Sequence, residues 1–225
     1  MRWEGRRESG NIEDRRGMGG MGVGLPVGGG IGGLVLLLLI SWLTGTNPLD
    51  LISTSSVPQD QTAGTTGVRD KDPQAEFIAV VLADTEDTWR DVFRQRGQAY
   101  VPPVLVLFND ATQSACGVGR AEVGPFYCPA DRKLYLDLSF FRELDERFGA
   151  PGDFAQAYVV AHEVGHHVQN LLGISESVTA ARSRADDRQA NALSVRLELQ
   201  ADCYAGVWGH YASARGLLES GDAQE

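Results

Sequence analysis

The sequence predicts an α+β fold: a small, mostly antiparallel sheet packed on long helices, preceded by an N-terminal transmembrane helix. Three observations carry this. Short β-branched and aromatic runs, broken by turn residues, fill Pro102 to Asp137. From Pro151 onward the apolar spacing is helical almost throughout. Near the start, no charged residue occurs between Arg16 and Asp50.

That uncharged window contains "LVLLLLI" (Leu34 to Ile40), and from Val23 it offers about 20 predominantly apolar residues, enough to cross a bilayer as a helix. Arg2, Arg6, Arg7, Arg15 and Arg16 precede it and no basic residue follows until Arg69. By the positive-inside rule the N-terminus is then cytoplasmic and the body exported, in a single pass through the cytoplasmic membrane. A cleaved signal peptide is disfavoured, because no Ala-x-Ala-like site follows the apolar run. A cytosolic chain with an apolar hairpin conflicts with the arginine asymmetry. The expected division is a cytoplasmic, Arg-containing and Gly-rich tail at 1–22, a transmembrane anchor at 23–45, a flexible linker at 46–71 and a globular domain at 72–225.

The body is acidic. The net charge is −10, and from Asp50 onward 15 basic residues face 26 acidic ones. Phosphate-backbone binding needs clustered Lys and Arg, so nucleic acid is not an expected partner. Cys116 and Cys128 stand 12 residues apart around a predicted hairpin, a spacing that suits a disulfide in an exported domain. Cys203 is left over, and a buried free thiol is the expectation for it.

Within the domain, Pro73 and Gly97 punctuate a helix of about 20 residues with Trp89 and Phe93 in the core. "PPVLVLFND" reads as a strand, followed by hairpin strands near Glu122 to Tyr127 and Lys133 to Asp137. "FRELDERFG" is a short helix. Two long helices follow, Phe154 to about Leu172 and about Asp187 to Ala214.

The first of these carries "AHEVGHHVQN". On a helix His162 and His166 lie within about 40° of each other, so both imidazoles can reach one zinc. Glu163 is about 100° away from His162, placed beside the metal's open position as a general base. His167, about 140° away, is expected to pack or to make a supporting hydrogen bond. Gly165 costs a helix interior roughly 1 kcal/mol and suggests a second backbone passing close by. The other long helix carries "VRLELQADCYAG", with Glu198 and Asp202 on one face. Glu198 would complete a site of two histidines and one glutamate. Asp202 would orient the His162 imidazole through its second nitrogen. Tyr204, His210 and Tyr211 on that helix are candidates for oxyanion stabilisation, with packing the expected role for each.

The opening "MRWEGRRESGNIEDRRG", the glycine-rich apolar segment, "GPFYCP", "LYLD", "AHEVGHHVQN" and "ELQADCYAGVW" occur in the order seen in a bacterial family of neutral zinc metallopeptidases, which the chain resembles through most of its length. Members usually continue well past the "CYAGVW" helix, whereas this chain stops at "GLLESGDAQE". The site is also similar to that of zincins with a downstream glutamate. The resemblance implies a zincin-like domain with zinc ligands His162, His166 and Glu198, the base Glu163 and a supporting carboxylate at Asp202. It also implies peptide or protein substrates, with an extended chain pairing along a sheet edge between Phe126 and Leu136. The resulting expectation is a membrane-anchored zinc endopeptidase that hydrolyses peptide bonds with zinc-activated water. A tethered, zinc-stabilised binding domain is the alternative from another class.

Overall fold

The computed structural model describes residues 1–17, 65–66, 72–148 and 152–222. The expected anchor at 23–45 lies outside these residues, as does the 46–71 linker except Thr65–Thr66. Among the described residues no helix is long and apolar enough to cross a membrane.

The fold is mixed α and β. A five-stranded sheet has the order β2-β1-β3-β7-β6, built from β1 (Ile12–Asp14), β2 (Thr65–Thr66), β3 (Val104–Phe108), β6 (Phe126–Cys128) and β7 (Lys133–Asp137). A separate hairpin, β4 (Ala111–Ser114) with β5 (Gly117–Arg120), projects between β3 and β6. Among the described residues five helices accompany them: α1 (Pro73–Gln95), α2 (Ser139–Phe148), α3 (Asp153–Leu171), α4 (Ile174–Arg182) and α5 (Asp187–Ala214).

The helices start where the chemistry says they should. Asp72 caps α1, its carboxylate accepting the N–H groups of Gln74 and Ala75, and Pro73 occupies the first turn. Asp186 caps α5 through the N–H of Gln189. Gly173, at φ 73°, makes the left-handed step between α3 and α4. Helix α1 is buried on nearly every face from Phe77 to Thr85, as expected of a helix that is apolar all round. Trp89 and Phe93 are in the core. Helix α3 presents Ala157, Val160, Ala161, Val164 and Val168 to the same core, the spacing of a single helical face.

Two features differ from the sequence expectation. The sheet is parallel at its centre: β3 pairs in parallel with β1 (Ile12 opposite Leu105) and with β7 (Val106 opposite Tyr135), and only the flanking β2 and β6 are antiparallel. Both β3 and β7 are buried for four of their five residues, the two-faced burial typical of parallel strands. Residues 1–17, set apart as a tail in the sequence reading, belong to the same compact unit as residues 72–222 and supply β1. Ile12 is in the core, and Glu86 accepts hydrogen bonds from Ser9 Oγ (2.5 Å), Asn11 Nδ2 (2.7 Å) and Arg7 Nη1 (3.3 Å). A smaller difference is that Glu122 lies in a 3-10 turn, with β6 beginning at Phe126.

Cys116, in the turn of the β4–β5 hairpin, is disulfide-bonded to Cys128 at the end of β6. Cys203 is free but exposed, not buried. The face of α5 that enters the core is set by Ala201, Ala205, Trp208 and Ala212, and Cys203 is about 200° from Ala201 around the axis. The far end of α5 is fixed to α1: Asp84 accepts Trp208 Nε1 (2.9 Å) and a two-pronged Arg215 guanidinium (2.8 and 2.6 Å).

Candidate metal centre

Helices α3 and α5 cross where Gly165 meets Ala201. A Cβ built on Gly165 would lie 2.9 Å from the Ala201 carbonyl oxygen and 3.1 Å from its Cα. Only glycine therefore allows this approach, which accounts for its presence in the helix interior. Ala201 sits between Glu198 and Asp202, so the crossing sets the distance from those carboxylates to the histidines of α3. Gly165→Ala is expected to lower the melting temperature. Overpacking against a backbone costs about 1–3 kcal/mol, more than the gain of up to about 1 kcal/mol in helix propensity. Zinc affinity, read by chelator competition, should fall with it. An unchanged melt and affinity would show that the crossing does not position the site.

At the crossing three acceptor atoms converge. His162 Nε2 and His166 Nε2 are 3.1 Å apart, and Glu198 Oε2 lies 3.4 Å from the first and 3.3 Å from the second. Their tautomers follow from their partners. Asp202 Oδ1 can only accept, so His162 Nδ1 donates to it at 2.9 Å. Gln169 uses its amide nitrogen on the Leu197 carbonyl (2.7 Å) and Gln200 Oε1 (3.1 Å), which leaves its oxygen to accept from His166 Nδ1 at 2.9 Å. Both Nε2 atoms therefore turn lone pairs toward each other and toward a carboxylate oxygen. Such a set repels itself unless a cation lies among the three. Tetrahedral ligands at 2.0–2.1 Å from zinc are about 3.3 Å apart, which matches the three separations. The residues fit zinc in both donor chemistry and spacing.

The supporting shell holds more than the sequence reading named. Asp202 also accepts the Tyr158 hydroxyl at 2.7 Å. That bond foremost, then those from His162, hold its carboxyl below the usual carboxylate range against the opposing effect of burial. Gln169 orients the His166 imidazole while bonding to the backbone of α5, and neither it nor Tyr158 was singled out from sequence. Both signals were available: Tyr158 precedes His162 by four residues and Gln169 follows His166 by three, the spacings of neighbours on a helix.

Glu163 is not among the converging atoms. It lines a cleft of about 390 Å³ with His162, His166, Glu198, Phe126 and Tyr127. Burial pushes its carboxyl up to about 7 and the Glu198 carboxylate adds to this, opposed by His166 and by the backbone N–H of Tyr127. His167 points the other way, fully buried. Its Nε2–H donates to the Val101 carbonyl (2.8 Å) and its Nδ1 accepts the Tyr127 hydroxyl (3.0 Å), which also accepts Asn170 Nδ2 (2.9 Å). Burial lowers the His167 pKa to about 4, so it stays neutral and pins strand β6 to helix α3. Tyr127 thus meets α3 twice, through its backbone at Glu163 and through its hydroxyl at His167 and Asn170.

Tyr204, His210 and Tyr211 do not line the cleft. Tyr204 packs on Trp89, and His210 packs on Tyr211. Twelve residues beyond Glu198, His210 is about 18 Å farther along the helix axis.

Comparison with known proteins places this geometry in a family. Residues 1–225 match the family model described as "Putative neutral zinc metallopeptidase". The chain is 48% identical over 233 residues to the uncharacterized protein YpfJ of Escherichia coli strain K12, covering all of this chain and 80% of that protein. It is 44% identical over 138 residues to the uncharacterized protein Rv2575 of Mycobacterium tuberculosis strain H37Rv, covering 61% of this chain and 45% of that protein. No solved structure matches. The chain belongs to the family described as putative neutral zinc metallopeptidases.

Proposed function

We propose that this chain is a membrane-associated, zinc-dependent endopeptidase with a zincin-like site. In this reading His162, His166 and Glu198 hold the metal, Glu163 is the general base, and Asp202 and Gln169 position the two imidazoles. The observation that carries the reading is the separation of Glu163 from the three converging atoms. A purely structural metal site has no use for a carboxylate beside it facing an open cleft. Zinc bound here would lower the pKa of a water toward about 7 and polarise a carbonyl.

The chain's own residues supply the rest. Glu163 accepts the proton of the attacking water and returns it to the departing amine, the task of a carboxylate set beside the site and facing the cleft. The N–H of Tyr127 steadies that carboxylate. Among the described residues strand β6 ends the sheet, paired only with β7, and Phe126 and Tyr127 form one wall of the cleft. An extended polypeptide pairing along this free edge would present successive carbonyls to the site.

The alternative is a zinc-stabilised binding domain. An unfolded protein substrate incubated with the zinc-loaded chain separates the two. Internal cleavage, read as new α-amino termini by mass spectrometry, is expected. Release of single terminal residues would make the chain an exopeptidase, and an intact substrate would favour the binding domain.

A further inference from the structure

The N-terminal segment is built into the domain. Strand β1 lies between β2 and β3, with Ile12 opposite Leu105 and Asp14 opposite both Leu107 and Thr65. The N–H of Arg2 donates to the Leu217 carbonyl (2.8 Å), and Arg6 Nη2 donates to that of Gly216 (2.7 Å). Lys133 of β7 pairs with Glu13 (2.5 Å), and Arg16 pairs with Asp72 at the cap of α1. The buried carboxylate of Glu86 takes its hydrogen bonds from Arg7, Ser9 and Asn11 as well as from Arg90 of its own helix. Removing partners from a buried charge is strongly destabilising. Residues 1–17 are thus integral to the domain, with Ile12 in its core, and β1 cannot leave β3 without opening the sheet.

This constrains how the chain meets a membrane. The apolar residues 23–45 fall between β1 and β2, and a single crossing there would put β1 and β3 on opposite faces of the bilayer. Separately, the Cys116–Cys128 disulfide joins β5's hairpin to β6, and such bonds persist on the oxidising side of the cytoplasmic membrane.

We infer that residues 1–17 and 72–222 lie together on the outer face of the membrane. The segment's arginines are then held by carboxylates and carbonyls of the domain and are not a cytoplasmic flank. The inference stands on strand pairing and holds whether or not the site is catalytic.

The test uses the full chain in spheroplasts of a Gram-negative host and a membrane-impermeant maleimide. Two thiols are read separately: the exposed native Cys203, and Glu8→Cys in a Cys203→Ser background. Gly10→Cys, where an added Cβ has nothing within 4 Å, is a second probe of the N-terminal segment should the first misfold. Equal labelling of both sites in intact and lysed spheroplasts is expected. Labelling of Cys203 alone before lysis would restore a single crossing and overturn the inference. Protection of both sites until lysis would overturn it as well, by placing the domain in the cytoplasm.

Discussion

Replacing Glu163 by glutamine is expected to leave zinc content at the wild-type level and to lower kcat for peptide hydrolysis by about 10²–10⁴-fold, the range a positioned general base contributes. The substitution preserves volume, and the amide oxygen can still accept the Tyr127 N–H. It removes only the ability to take up a proton. The metal set is untouched, because Glu198 and not Glu163 meets the two Nε2 atoms. Burial holds the Glu163 carboxyl near 7 in the metal-free site, and a bound dication would draw it down. KM should change little. Metal analysis beside steady-state kinetics checks this, and hydrolysis persisting in Glu163→Gln would remove the residue from the role of base.

Glu198→Ala has the next largest expected effect, on zinc itself. Loss of a group that merely orients a ligand costs about 10–100-fold in metal affinity. Loss of one of three ligands should cost more than that, so Glu198→Ala is expected to lie beyond this range and Asp202→Asn within it. Chelator competition measures both. Folding should hardly suffer, since the Glu198 side chain is 57% exposed and its contacts are the two histidines. Equal affinities for Glu198→Ala and wild type would mean that the third ligand lies elsewhere.

The parts of this protein that were legible in the sequence are those governed by local periodicity. Helix α3 and the last helix, α5, were readable because His162, His166, Glu198 and Asp202 repeat at one-turn spacing, and a helix converts spacing directly into direction. Gly165 gave its own signal, a costly residue in a helix interior, and the Ala201 backbone is the neighbour it admits. Strand β1 gave none. "IED" is three residues long, two of them charged, and it is a strand only because β3 and Thr65–Thr66 lie beside it. Strand pairing across such separations is a tertiary fact that local propensity does not carry. The arginines on either side of it fit the positive-inside rule equally well, which is why residues 1–17 read as a membrane flank. The parallel centre of the sheet did leave a trace, since "VLVLF" and "LYL" are runs without alternation, the mark of strands buried on both faces. Cys203 was misplaced because the core face of α5 is narrow, made by alanines and Trp208, and the rows beside it are open to solvent.

The central claim is that one zinc ion between His162, His166 and Glu198 makes this chain a peptidase. Zinc titration of metal-free protein, with bound metal and peptide cleavage read in the same samples, tests it most directly. No cleavage is expected without metal, and cleavage should rise in proportion to occupancy until the site is full, then level off. Full occupancy with no cleavage of any unfolded polypeptide would contradict it, and would leave a zinc-stabilised binding domain in its place.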